Sequence, residues 1–326
     1  MWEIANTDHI HLLEAAFAEW REQRSSHSIS YLADAGIDDY HRDRLIKQIQ
    51  DNPDNETIRL LTEGERILAL IGLKHSTWHQ IYLGSPYYKI QPSYFFTDDE
   101  RDLFFTVNAL KEILTHAGSV YTTRIECRRR SLIYHLALGG FLPVGTSVRM
   151  VLDPLTSKLV DSFSRPSYDG LIIRPCADRD LPRLQDIIRR AHQHSHFFCE
   201  ARFKPERVRN LFAEWIAQCA SNSAYRITVA EKEGQVVGFC SSFVQKTLKS
   251  YIRRAIGIID FIVVDYGIQG RGIGRALLKA AFDEFYPGVD CVELRTMADN
   301  LRAIRFYEKH GFRMLSADQH LHYWAT

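Results

Sequence analysis

The chain has 326 residues, 45% of them apolar, enough for about two domains that each bury a core. Forty-one Lys and Arg against forty Asp and Glu leave a net charge of +1, so the broad positive field that draws proteins onto nucleic acid or an anionic membrane is missing. The longest apolar run, residues 67–73, is far below the roughly twenty that cross a bilayer, which excludes a membrane span.

The first residues carry acids and no basic segment ahead of an apolar one, so no secretory signal is expected and the chain reads as cytoplasmic. Residues 8–24 and 40–50 read as helices, and 57–62 with 67–74 as a hairpin around Gly64. An aromatic strand at 88–96 follows, with Tyr87, Tyr88, Tyr94, Phe95 and Phe96 as expected core. A helix at 103–117, a strand at 121–127 and a helix at 131–138 lead to Gly140-Phe141. The run Arg128-Arg129-Arg130 fits a solvated surface, with a diphosphate contact as the alternative. Residues 153–170 mix Pro, Ser and charges without an apolar period and read as a linker.

After it, a strand at 171–175 precedes helices at 180–191 and 203–220, the latter with Pro205 near its start. Residues 225–231 and 235–243 form a hairpin around Gly234, and 255–264 a long apolar strand. A helix at 272–285, a strand at 290–296, a helix at 300–310 and a last pair of strands ending at 320–324 complete the order βααβββαβαββ. The first half repeats that order in blurred form: each half closes on a strand, a helix, Gly-Phe and a strand, which points to an internal duplication of architecture. Six cysteines, at 127, 176, 199, 219, 240 and 291, are scattered without a CxxC pair; they suit buried reduced thiols and predict no structural metal.

The most informative stretch is FIVVDYGIQGRGIGRALLKAAF, a buried strand that passes through a glycine-rich turn into a helix. A helix start leaves backbone N–H groups unpaired at the positive end of its dipole, and glycines at 270, 272 and 274 let a phosphate approach the main chain, with Arg271 and Arg275 beside it. Gly274 is followed by Arg275 and Ala276, so the turn is no P-loop, and Leu277 stands where a dinucleotide fingerprint needs glycine. The pattern Gln269-X-X-Gly272-X-Gly274 is instead similar to motif A of the GCN5-related N-acetyltransferase (GNAT) superfamily. Asn300, Ala303, Phe306, Tyr307, Gly311 and Phe312 resemble its second signature, so the second half resembles that family along nearly its whole length.

The resemblance implies a mixed-sheet α/β fold of two GNAT-like halves: a degenerate domain at 1–152, a linker at 153–170 and a catalytic domain at 171–326. It implies acyl-CoA as co-substrate and no metal. Gln269, Gly270, Arg271, Gly272, Ile273, Gly274 and Arg275 are then expected around the pyrophosphate, with Asn300 and Ala303 beside them. Ile262, Val263 and Val264 are expected along the pantetheine, with a backbone N–H near Val264 facing the oxyanion. Tyr307 is the expected acid for the departing thiolate, its ordinary pKa near 10 being close to that of an alkyl thiol. Asp260 or His196, of the cluster His192, His194 and His196, is the expected base, unless a water chain suffices.

The stretch SHFFCEARFKPERVRNLFAEWIAQCA resembles bacterial enzymes that acylate the amino group of dTDP-linked deoxyaminosugars, through Ser195, Phe197, Arg202, Phe203, Leu211, Phe212, Trp215 and Ile216. His196, Phe197, Glu200 and Arg202 are therefore expected at the sugar, and the acyl group is acetyl or 3-hydroxybutanoyl. A homodimer, no nucleic acid and no membrane complete the expected partners. The first half departs at the turn: Thr97-Asp98-Asp99-Glu100-Arg101-Asp102 places carboxylates where a pyrophosphate should lie, and Leu136 stands where the acid Tyr falls, so it should not bind CoA. Competing readings are a mycothiol-synthase-like small amine, a protein amine, and a CoA-binding scaffold without transfer.

Overall fold

A computed structural model describes residues 1–25, 35–51, 57–153, 170–247, 249–285 and 288–326, so the expected linker lies almost wholly outside the described residues. In chain order the elements begin β1 (Trp2–Ile4), α1 (Ile10–Ser25), α2 (Ala35–Asp51), β2 (Ile58–Glu63), β3 (Arg66–His75), α3 (Thr77–Leu83), β4 (Tyr87–Phe95), α4 (Glu100–Ile113), β5 (Val120–Glu126), α5 (Arg130–Leu138) and β6 (Leu142–Leu152). They continue as β7 (Leu171–Pro175), α6 (Leu181–Ala191), α7 (His196–Cys199), α8 (Pro205–Ser221), β8 (Tyr225–Lys232), β9 (Gln235–Gln245), α9 (Lys249–Ile252), β10 (Ile256–Val264), α10 (Ile273–Phe285), β11 (Cys291–Met297), α11 (Leu301–Lys309) and β12 (Arg313–Trp324). Among the described residues no helix is long and apolar enough to cross a membrane.

The chain forms two compact units, Met1–Gly145 with Asp318–Thr326, and Thr146–Ala317. The first unit orders its strands β1-β2-β3-β4-β5-β12 and the second β7-β8-β9-β10-β11-β6. In each, one neighbouring pair is parallel, β4 with β5 and β10 with β11, and the other pairs are antiparallel. The duplication expected from sequence is thus a shared topology, with one difference. Each half ends in a strand that completes the other half's sheet: Ser147 to Leu152 pair with β11, and Asp318 to Trp324 pair with β5. The sequence division at 152 and 171 therefore differs from the compact units, because strand exchange is set by pairing partners far apart in the chain.

The first sheet carries apolar clusters on both faces. Leu13, Phe17, Leu45 and Ile49 of α1 and α2 pack on Leu60 and Leu70, while Leu103, Val107, Leu110, Leu132 and Leu136 of α4 and α5 pack on Ile71, Ile90, Ile125 and Leu321. In the second unit Leu277, Leu278, Ala281, Phe282 and Phe285 of α10 pack on Ile259, Val292 and Leu294 together with Tyr307 and Phe312. The expected pair of terminal strands is a single strand, β12, which passes from one unit to the other without a turn residue. The three-residue β1 and the seven-residue α3 were not legible, being shorter than a period of either kind shows.

Candidate functional site

In the second unit β10 and β11 run parallel for four registered pairs, from Ile256 with Cys291 to Ile259 with Leu294. The pairing then stops, although β10 continues to Val264 alongside β9. The cause is local: the register of β10 against β9 shifts between Ile259 and Phe261, so Asp260 is the extra residue of a bulge, which bends a strand and raises its twist. The split opens a groove of about 1040 Å³ lined by residues 262–264, 269–275, Asn300, Ala303, Phe306 and Tyr307. All twelve residues expected around the co-substrate line this one groove.

The turn that closes the groove needs its glycines. Gly270 and Gly272 have φ of 84° and 80°, in the left-handed region that a Cβ disfavours. Gln269 locks the turn to its surroundings: its Nε2 donates to the Val264 carbonyl at 2.8 Å, and its Oε1 accepts from Arg302 Nη1 at 2.6 Å. Asn300 has a structural duty as well as a place in the lining. Its Oδ1 accepts from the Ala303 N–H at 3.2 Å and caps α11. Backbone N–H groups at the start of α10, with Arg271, Arg275, Arg302 and Lys309 around them, fit a pyrophosphate.

Tyr307 lies on α11, buried in the core that faces the groove, with its ring 5.5 Å from that of Phe312. Its expected ordinary acidity is corrected here: burial first, and then Cys240, push the phenol well above its usual pKa. It stays a proton donor at neutral pH.

Asp260 does not line the groove. The bulge turns both Asp260 and Phe261 toward α8, where the carboxylate accepts from Cys219 Sγ at 3.8 Å and from Trp215, and the Phe261 ring meets Phe212 and Trp215. Burial raises its pKa to about 6 despite those two hydrogen bonds. His196 is likewise off the groove, its ring tilted against that of Phe197 in α7 with centroids 4.0 Å apart. The histidines that do line it are His192 and His194. His192 sits between the rings of Phe212 and Phe261, and burial, then His194, lower its pKa to about 4; His194 Nδ1 lies 3.5 Å from Asp299.

The other three residues expected at the sugar are also placed elsewhere. Phe197 is buried against Phe203 and Phe212. Glu200 is buried and its carboxylate accepts from the Arg202 N–H at 3.2 Å, which makes it a turn cap, and the Arg202 side chain is exposed. These residues shape the α7 corner because a four-residue helix between two longer ones has to satisfy its own ends. Arg302 and Lys232 line the groove without a local signal in the sequence, whereas the histidine cluster expected to supply a base does reach it, through His192 and His194 and not through His196.

The corresponding turn of the first unit is closed. Asp99 Oδ1 accepts from Arg101 N and Asp102 N at 2.9 and 3.2 Å, so the N-terminus of α4 is already capped by a carboxylate. Arg129 donates to the Phe95 and Thr97 carbonyls at 2.8 Å and pairs with Asp98, and Arg128 pairs with Glu126. Those two arginines are therefore structural, and Leu136 is fully buried. The aromatics of β4 are packed into the unit, with Tyr88 and Tyr121 stacked at 4.9 Å.

The acetyltransferase (GNAT) family profile matches residues 182–312. The spore coat polysaccharide biosynthesis protein SpsD of Bacillus subtilis (strain 168) is 25% identical over 184 residues, 56% of this chain and 58% of that protein. A mycothiol acetyltransferase of Sanguibacter keddieii is 38% identical over 91 residues, 28% of this chain and 29% of that one. The matched segments thus span less than two thirds of either relative. Among solved structures, a GCN5-related N-acetyltransferase from Sphaerobacter thermophilus superposes with a TM-score of 0.61 at 15% identity, over 99% of this chain and 94% of that one. A tandem GNAT protein from the clavulanic acid biosynthesis pathway gives 0.55 at 10% identity, over 99% and 97%. At such identities the likeness is one of fold.

Proposed function

We propose, from the match of residues 182–312 to the acetyltransferase (GNAT) family profile, that the chain is an acyl-CoA-dependent N-acyltransferase acting on a small amine. The observation that carries this reading is the split between β10 and β11, roofed by a glycine turn whose left-handed residues and locked Gln269 hold backbone donors open toward a pyrophosphate. The edge of β10 beyond Ile259 is free of β11 and suits the pantetheine amides, and a main-chain N–H near Val264 faces the thioester oxygen as it gains charge. The amine attacks the thioester carbonyl, the C–S bond breaks, and Tyr307 gives its proton to the departing sulfur. The attacking nitrogen has to be neutral. His192, held uncharged by desolvation, accepts a hydrogen bond from it, and the proton that the nitrogen sheds passes through water to restore Tyr307.

For the acceptor we favour the amino group of a dTDP-linked deoxyaminosugar, with acetyl or 3-hydroxybutanoyl as the acyl group. Two things support it: the resemblance of residues 195–216 to such enzymes, and the similarity to a polysaccharide biosynthesis protein. The acceptor wall is then His192, Gln193, His194 and Lys232, in place of Phe197, Glu200 and Arg202. A mycothiol-like amine is the second reading, favoured by the 91-residue match. A thiol-release assay with acetyl-CoA and 3-hydroxybutanoyl-CoA against dTDP-aminosugars, aminocyclitols and peptides tests this. Release is expected with the aminosugar, and Tyr307→Phe should lower its turnover by about 100-fold with CoA affinity unchanged. Equal turnover in the two proteins removes Tyr307 from the reaction, and release with none of the acceptors leaves only a CoA-binding module.

A further inference from the structure

Four adjacent strands of the first unit meet at one level of its sheet. Lys74 of β3 is registered with Lys89 of β4, Lys89 with Thr122 of β5, and Thr122 with His322 of β12. Registered partners share a face, so two ammonium-bearing side chains, a hydroxyl and an imidazole form one row. Tyr87, two residues from Lys89, lies on the same face, and its hydroxyl is hydrogen-bonded to Thr122. The helix α3 closes over this corner: His79 stacks on Tyr87 with centroids 4.5 Å apart and planes 14° apart, and shares a 2.7 Å hydrogen bond with Ser76 Oγ. Tyr87, Thr122, His79 and His322 are buried, Lys89 is half-buried, and Lys74 is exposed at the entrance.

This arrangement carries an electrostatic cost that no carboxylate among the described residues offsets. Like charges directly opposite each other destabilise a sheet. Burial first, and then Lys74, push the Lys89 ammonium down, and no carboxylate among the described residues draws it back up. Burial and Lys89 together hold His79 neutral, at about 3. The corner thus places two ammonium groups beside a mutually hydrogen-bonded pair of hydroxyls on a partly desolvated floor, a polar set without an acid among the described residues. It is separate from the capped start of α4, where Asp99 closes the first unit's counterpart of the glycine turn.

We propose that Lys74, Lys89, Thr122 and Tyr87 bind a small dianionic oxyanion, the phosphate group of an ester or a dicarboxylate. Two ammonium charges match two negative ones, and the exposed Lys74 gives the anion its way in. Because the groove of the second unit also attracts phosphate, the test is made on the full chain carrying Gly272→Asp, and the readout is local to Lys89. Mass-spectrometric footprinting with an amine-reactive reagent compares inorganic phosphate, succinate and chloride at equal ionic strength. With the site nine-tenths filled, labelling of Lys89 is expected to slow by about tenfold while that of exposed Lys47 is unchanged. Protection by phosphate alone or by succinate alone assigns the source of the anion.

In parallel, Lys89→Met in the same background should fold at least as stably in chloride, since it removes the opposed charges, and should lose the phosphate-dependent rise in Tm. Lys89 labelled equally fast with all three anions overturns the proposal. So does a Lys89→Met protein that keeps the full phosphate-dependent rise.

Discussion

Two titratable residues near the groove, each shifted by desolvation, pull stability in opposite directions, and their signs can be worked out. Asp260 has a folded pKa of about 6 against an ordinary 3.8, so the native state keeps a proton that the unfolded state releases, and stability falls as pH rises from about 4 to about 6. His192 has a folded pKa of about 4 against an ordinary 6.5, so the unfolded state binds the proton over that window and stability rises. The two slopes nearly cancel between pH 4 and 6. Asp260→Asn keeps a hydrogen-bond acceptor for Cys219 and Trp215 and removes only the falling slope. We expect it to gain up to about 3 kcal/mol at pH 7 and to show a steeper rise between pH 4 and 6 than the parent, measured as urea midpoints across that range. Parallel curves for the two proteins would show that Asp260 is ionised at no cost. The sequence marked Asp260 as odd within an apolar strand, yet period-two alternation says nothing of which way it faces once a bulge intervenes.

At the scale of elements the site is made by three that are legible in the sequence and by one contact that is not. The apolar strand β10, the glycine turn and the capped helix α11 each follow from local pattern: an apolar run, glycines at left-handed positions, and Asn300 ahead of a helix. The bridge from Arg302 to Gln269, which holds the Val264 carbonyl, joins residues 33 positions apart, and no spacing rule predicts it. Gly272→Asp tests the assembled turn. It forces a side chain into a backbone with φ of 80° and puts a carboxylate beside the N-terminus of α10. CoA affinity by calorimetry is expected to fall by at least about 100-fold, and an unchanged affinity would move the co-substrate out of this groove. The short α7 teaches the reverse lesson. Its Phe197 and Glu200 are expected at a sugar from the sequence resemblance, but the aromatic packing and the turn cap account for both side chains.

Over the whole molecule the informative feature is that each sheet is completed by a strand from the other half of the sequence. Leu321, Tyr323 and Ala325 of the last segment pack in the core of the first unit with Tyr121, Ile125 and Phe141. Leu321→Ala should therefore destabilise the first unit by about 2–5 kcal/mol through the cavity it leaves, although the residue lies at the far end of the chain from β3, β4 and β5. Hydrogen exchange reads this directly: amides of those three strands should lose protection in the variant, and unchanged exchange there would contradict the assignment of β12.

Local chemistry written in the chain determined the kinds of element, their order, the duplication, the glycine turn and the likeness of residues 182–312 to the acetyltransferase (GNAT) family profile. These features depend on neighbours within one turn or one strand, where glycine conformation, capping and apolar period act. The tertiary structure alone decided which strand completes which sheet, that β10 and β11 part at Asp260, that His192 and His194 line the groove in place of His196, and that Tyr307 is a buried phenol of raised pKa. Those outcomes depend on register, burial and contacts between residues far apart in sequence, and the energies that set them exist only once the sheets have formed.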